Sequence, residues 1–223
     1  MNETKIADIN TGIDRYFFAF MAVLFAASAV VGFAPNSISI LVGVKENPPL
    51  IIHLHAAAMS AWLILLVAQA SLVATQRFDI HQKLGITSVA LAPIVFFLMI
   101  AIAWPYLADP AKVPAIFVIQ IKRIALFGVC VALALTWRKR WPGAHKRLMF
   151  MATFAVLDAA FFRMTFLPNL GMENEAILGH LYQYALLLPL LAYDVAKFGR
   201  IHPVYLVVVP IFIGLQTFSA SLW

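Results

Sequence analysis

The chain reads as an all-α, polytopic membrane helical bundle, and three observations predict it. Of its 223 residues 63% are hydrophobic and 12% charged, with a mean hydropathy of +0.91; soluble domains hold apolar residues near about one half. The apolar residues fall into seven runs, each of the ~20 residues that a membrane helix needs. The short connections between them alternate in charge, as in a chain threaded back and forth across a bilayer. Little sequence is left for a soluble catalytic domain, so any site belongs within the bundle or at its edge.

The first helix is expected over about 16–35, where Ala27-Ser28-Ala29 imitates a signal-peptidase site but the apolar core is too long and the leading region too acidic for one. Residues 1–15 are polar and exposed. Asn36 to Pro49, with its Pro-Pro pair, reads as a loop. Helix two covers about 50–75, and Gln76-Arg77-Phe78-Asp79 makes a tight basic turn in which Asp79 and Gln82 resemble a capping box for helix three, about 80–107. Pro114 opens helix four, about 114–137, and Arg138-Lys139-Arg140 forms the most basic turn. Helix five is expected over about 144–167, helix six over 176–198 and helix seven over 203–222, with an acidic loop, Glu173 and Glu175, before helix six.

The turns after helices two, four and six are basic and those after one, three and five neutral or acidic. The positive-inside rule is read here as setting the N-terminus outside and the C-terminus in the cytoplasm of a bacterial inner membrane. Trp104, Tyr106, Trp137, Trp141, Tyr205 and Trp223 fall near helix ends, as aromatic belts would. His81-Gln82-Lys83-Leu84 recurs as His145-Lys146-Arg147-Leu148, with a looser echo in Gly199-Arg200-Ile201-His202, which suggests similarly oriented hairpins after a solitary first helix.

The formal net charge of +6 and pI near 9.6 sit mostly in these turns, so they report topology and imply no nucleic-acid partner. Cys130, the one cysteine, offers neither an intramolecular disulfide nor a thiolate cluster. Ionisable groups in hydrocarbon are costly and usually face the bundle interior. Helix two carries His55, Met59, Trp62 and Gln69 as one stripe, with His53 pointing elsewhere. His53, His55, Lys122, Arg123, Arg163, His180 and Tyr184 form an outer layer, Asp158 falls near mid-depth, and His81, His145 and His202 lie at the cytoplasmic interface.

Two neutral imidazoles on facing helices, with Arg or Lys for the propionates, are what a haem b needs. His55 with His180 would serve an outer haem beside Lys122, Arg123 or Arg163, and His81 with His145 an inner one. In His55, Met59, Trp62, His81, Leu84 and Gly85 the chain resembles the two-haem transmembrane cytochrome b proteins related to ferric reductases. That resemblance implies electron transfer, membrane lipids and a quinone or other redox partner. Its partner histidines come from the next helices, whereas helix four here has none. The same segment is similar to uncharacterised bacterial membrane proteins of like length, which implies no activity.

Two other readings compete. His53, His55, His180 and Asp158 could ligate a metal, although no His-x-x-x-His pair is present. Alternatively the protein is a non-enzymatic assembly factor or transporter-like protein, in which Asp158 pairs structurally with Lys122 or Arg123. The cytoplasmic histidines are then interfacial residues beside lipid headgroups. Phosphate loops, a nucleophile elbow and a retinal lysine in helix seven are all lacking.

Overall fold

The computed structural model describes residues 12–109, 111, 113–164, 166–168 and 175–222. Among them are seven α-helices and no strand: α1 (Gly12–Leu41), α2 (Leu50–Ala74), α3 (Phe78–Ala108), α4 (Pro114–Trp137), α5 (Pro142–Phe161), α6 (Glu175–Phe198) and α7 (Pro203–Ala220). Five of these, α1, α2, α3, α4 and α7, are long and apolar enough to cross a membrane. The other two, α5 and α6, carry Arg147, Asp158, His180, Gln183 and Asp194, all of them buried.

Position explains the exception. Helix α5 packs against α1, α4, α6 and α7, and every residue from Phe150 to Asp158 is buried. A helix enclosed by protein need not be apolar all round, because neighbouring helices rather than lipid meet its polar groups. Small and aromatic side chains fill the space around it: Phe25 lies edge-on to Phe150, and Phe154 tilts against Phe212 of α7. On the α1 side the approach is closest, since a Cβ on Gly32 would meet the Ala160 carbonyl oxygen at 2.5 Å.

Helices consecutive in the chain run antiparallel, which defines two ends. Arg15 near the start of α1 donates from Nε to the Ala74 carbonyl at the end of α2, 2.7 Å away. Phe17 stacks on Tyr193 near the end of α6, and Lys146 at the start of α5 lies over the Phe18 ring. The start of α1 therefore shares one end with the turns at Arg77, Arg138 to Arg140, and Arg200. The expected orientation put the start of the first helix opposite the basic turns, and the structure puts it with them. A first helix that starts at the basic end brings the chain back there after every second helix, so the start of α1 stands on the side of the basic turns and the end of α7 on the opposite side.

Other boundaries also differ from expectation. Helix α1 runs through Pro35 to Leu41, where Asn36 onward was expected to be loop. Pro35 forfeits the one backbone bond to the Val31 carbonyl, and the helix continues through it. Helix α5 stops at Phe161, six residues early, with the Arg163 Nη1 donating to the Ala159 carbonyl in its last turn. Asp158 consequently sits in that last turn instead of mid-depth. Helix α3 begins at Phe78 behind Arg77, which makes no side-chain cap bond, so the expected Asp79 capping box is absent. The tight turn before it is made by Gln76, at φ 60°. Tyr205, expected in an interfacial belt, is buried. The acidic stretch at 169–174, residues 1–11 and Trp223 lie outside the described residues.

Candidate functional site

Two charge centres sit at opposite ends of α5. At the end away from the basic turns, Asp158 is fully buried and takes a cation on each oxygen: Lys122 Nζ donates to Oδ2 at 2.8 Å and Arg123 Nε to Oδ1 at 2.6 Å. The expected pairing with Lys122 or Arg123 thus occurs with both. Adjacent residues of a helix point about 100° apart, so α4 can present both only because Asp158 faces the space between them. Arg123 also donates from Nη1 to Gln120 Oε1 at 3.2 Å, and Lys122 Nζ lies 4.5 Å above the Phe212 ring.

The remaining outer-layer residues gather around this centre. His55, on the inward face of α2, is within electrostatic reach of Arg123, and its Nδ1 is buried without a hydrogen-bond partner. His180 on α6 is within reach of Lys122, Asp158 and Arg123. Its ring lies 4.7 Å from that of Phe162, and the Gln216 amide nitrogen of α7 faces Nδ1 and Nε2 at 2.5 and 2.6 Å. Arg163, past the end of α5, reaches the same field but is exposed, with its guanidinium 4.7 Å over Phe33. His53 stands apart, exposed, its ring nitrogen bonded to Asn47 Oδ1 at 2.9 Å.

At the basic end the principal pair is one that no sequence motif singles out. Arg147 donates from Nε and Nη2 to both oxygens of Asp194 of α6, and from Nη1 to the Gly143 carbonyl at 3.0 Å. The backbone N–H of His202 adds a bond to Asp194 Oδ2 at 3.2 Å. Tyr205 closes the pocket with its hydroxyl buried and unpartnered. A signal existed: Arg147 lies three helical turns before Asp158, hence on the same face of α5, while its neighbours His145 and Lys146 drew the tetrapeptide toward an interfacial reading.

The two recurrent histidines do share a contact. His81 Nδ1 meets the Gln69 carbonyl of the preceding helix at 3.3 Å, and His145 Nδ1 meets the Ala134 carbonyl at 2.9 Å. Each bond ties a hairpin together and places the proton on Nδ1, leaving Nε2 with its lone pair. His202 departs from the pattern, since its Nδ1 accepts the Val204 N–H at 3.2 Å and caps α7. Helix two's stripe faces inward as expected: Trp62 is buried and donates to Thr153 Oγ1 of α5 at 3.0 Å.

For a haem, the outer pair does not fit. Gln216 fills the nitrogen edge of His180, and α2 packs on α1 and α3 while α6 packs on α5 and α7. His81 and His145 lie within electrostatic reach of each other, on helices that both pack against α4. Nor do His53, His55, His180 and Asp158 assemble as metal ligands: both Asp158 oxygens are bound by cations, and the described residues contain no group of three or more His, Cys, Asp or Glu placed to hold an ion. The chain matches no protein-family model, no curated protein and no solved structure.

Proposed function

We propose that the protein is a seven-span, non-enzymatic protein of a bacterial cytoplasmic membrane, of the transporter-like or assembly-factor kind, with its N-terminus in the cytoplasm. The observation that carries this reading is Asp158, fully buried with a cation on each oxygen. A carboxylate so engaged holds α4 to α5, with its charge already met by a cation on each oxygen. Arg147 and Asp194 do the same for α5 and α6. The 20 residues of α5 extend ~30 Å, the thickness of the hydrocarbon core, so enclosure by its neighbours lets it cross despite its charges.

Topology and cofactor content test this on one preparation. An alkaline phosphatase fused after Ala220 is expected to be active outside the cytoplasm, and one fused in the turn at Arg140 inactive; the reverse pattern overturns the orientation. Purified protein is expected to show neither a Soret band nor stoichiometric zinc, iron or copper.

A second reading, a haem b at the basic end with a membrane quinone or another electron carrier as partner, draws on the Nε2 lone pairs of His81 and His145. Both imidazoles are held in the tautomer that an iron ligand requires, and bonds from Nδ1 to carbonyls orient such ligands. Haem would supply one-electron transfer; these residues would hold it from α3 and α5. A Soret band that shifts on dithionite reduction and is lost in His145→Ala would establish it over the first reading.

A further inference from the structure

The charge centre at the far end of α5 does not balance. Among the described residues its ion pairs join two cations, Lys122 and Arg123, to one carboxylate, Asp158. Lys122 is fully buried, and the Arg123 side chain is only 15% exposed. Lys122 lies ~12 Å along α4 from Pro114, too deep for bulk water to screen it well. The carbonyl end of α5, where Asp158 sits, adds roughly half a negative charge and leaves the rest uncompensated. Arg163 raises the local potential further from its exposed position.

A second observation points to the same place. The buried Nδ1 of His55 has no hydrogen-bond partner among the described residues, and this imidazole is close enough to Arg123 to feel its charge. Buried polar atoms are almost always partnered, and in the tautomer that carries the proton on Nδ1 this nitrogen lacks an acceptor. One group satisfies both demands: a singly charged oxyanion, accepting from the His55 N–H and offsetting the second cation.

We propose that Arg123, Lys122 and His55 form a site for a single phosphate oxyanion, carried either by a lipid head or by a small soluble molecule. The proposal rests on the reading of Asp158 as a structural partner, which leaves one of the two positive charges without a carboxylate of its own among the described residues. Arginine suits such a role because its guanidinium can hold a carboxylate through Nε and still present further N–H groups.

The full-length protein in neutral detergent is titrated with inorganic phosphate against chloride at matched ionic strength, and separately with phosphatidylglycerol against phosphatidylcholine. The thermal midpoint is followed in both, and retained lipid is counted by native mass spectrometry. One of the two phosphates is expected to raise the midpoint and saturate at one per chain. Arg123→Gln is expected to weaken that binding at least tenfold, His55→Phe severalfold, and Arg140→Gln, an exposed turn cation, not at all. Saturation by phosphatidylglycerol alone assigns the lipid source, and saturation by inorganic phosphate the soluble one. If neither phosphate is distinguished from its control, or if His55→Phe and Arg123→Gln bind as the parent does, the site is refuted. Should Arg123→Gln fail to fold, His55→Phe decides alone. Haem or metal found in the same sample overturns the scaffold reading separately, without bearing on the phosphate titration.

Discussion

At the basic end of α5 one guanidinium meets one carboxylate, Arg147 on Asp194, with the His202 N–H and the Gly143 carbonyl completing both groups. At the opposite end one carboxylate, Asp158, meets two cations. The first arrangement is closed in charge: one guanidinium offsets one carboxylate, and both carboxylate oxygens are bonded within the protein. The second is open, because among the described residues two cations meet one carboxylate. A closed pair fixes helices and a surplus recruits something from outside, so the same helix serves structure at one end and offers a binding surface at the other. Removing charges singly separates the two ends.

The largest effect is expected from Arg147→Met. It strands Asp194 as a buried carboxylate without its cation, which costs on the order of 3–5 kcal/mol. Detergent-titrated unfolding should show it as a loss of most of the folded population, and adding Asp194→Leu should recover much of it. No recovery in the double variant would mean that the guanidinium matters for packing on Phe198 and Tyr205, over which it lies, more than for charge.

Lys122→Met probes the other end and should be milder, about 1–2 kcal/mol, because Arg123 stays on Asp158 and the local charge becomes neutral. A cost equal to that of Arg147→Met in the same unfolding assay would erase the distinction between closed and open centres. At this same end of α5, α1 is held by shape. Gly32→Ala places a methyl against the Ala160 carbonyl, a backbone atom that cannot swing aside, and should cost about 1–3 kcal/mol through separation of α1 from α5. Gly214→Ala, with open space around its Cβ position, is the matching control in the same denaturation series.

These contrasts also show what the sequence made legible. Helix existence came from apolar run length, which lipid enforces directly, and the gathering of Lys122, Arg123, Asp158, His55 and His180 came from the cost of charge in hydrocarbon. The α5 boundary did not, because Phe162 to Leu167 is as apolar as a helix although the chain turns there, with Arg163 bonding back to Ala159. Arg147 was hidden in a run of basic residues that surface placement explains equally well. Gln216, which faces His180, lies in a helix with nothing in its own sequence to name a partner on α6. Pairings across helices depend on packing rotation, which periodicity leaves free.

The smallest effect concerns pH at the closed end. His202 lies in the turn before α7, and its imidazole is pushed down to about 4, first by burial and then by the Arg147 guanidinium, with Asp194 opposing. Its Nδ1 already accepts the Val204 N–H, so a proton there would displace the α7 cap. The folded value lies below the ordinary 6.5, so the unfolded chain binds the proton first. Stability is then constant above neutral pH and declines as pH falls from 6.5 toward 4. The ring is only half-buried, and solvent screening keeps the loss small. Asparagine caps helices through its side-chain oxygen but does not titrate in this range. His202→Asn should therefore match the parent at about pH 7.5 and be the more stable of the two at about pH 5, measured as thermal midpoints in one detergent. Parallel midpoints for both proteins across that interval would place the acid sensitivity elsewhere and leave the Arg147–Asp194 centre indifferent to its neighbouring imidazole.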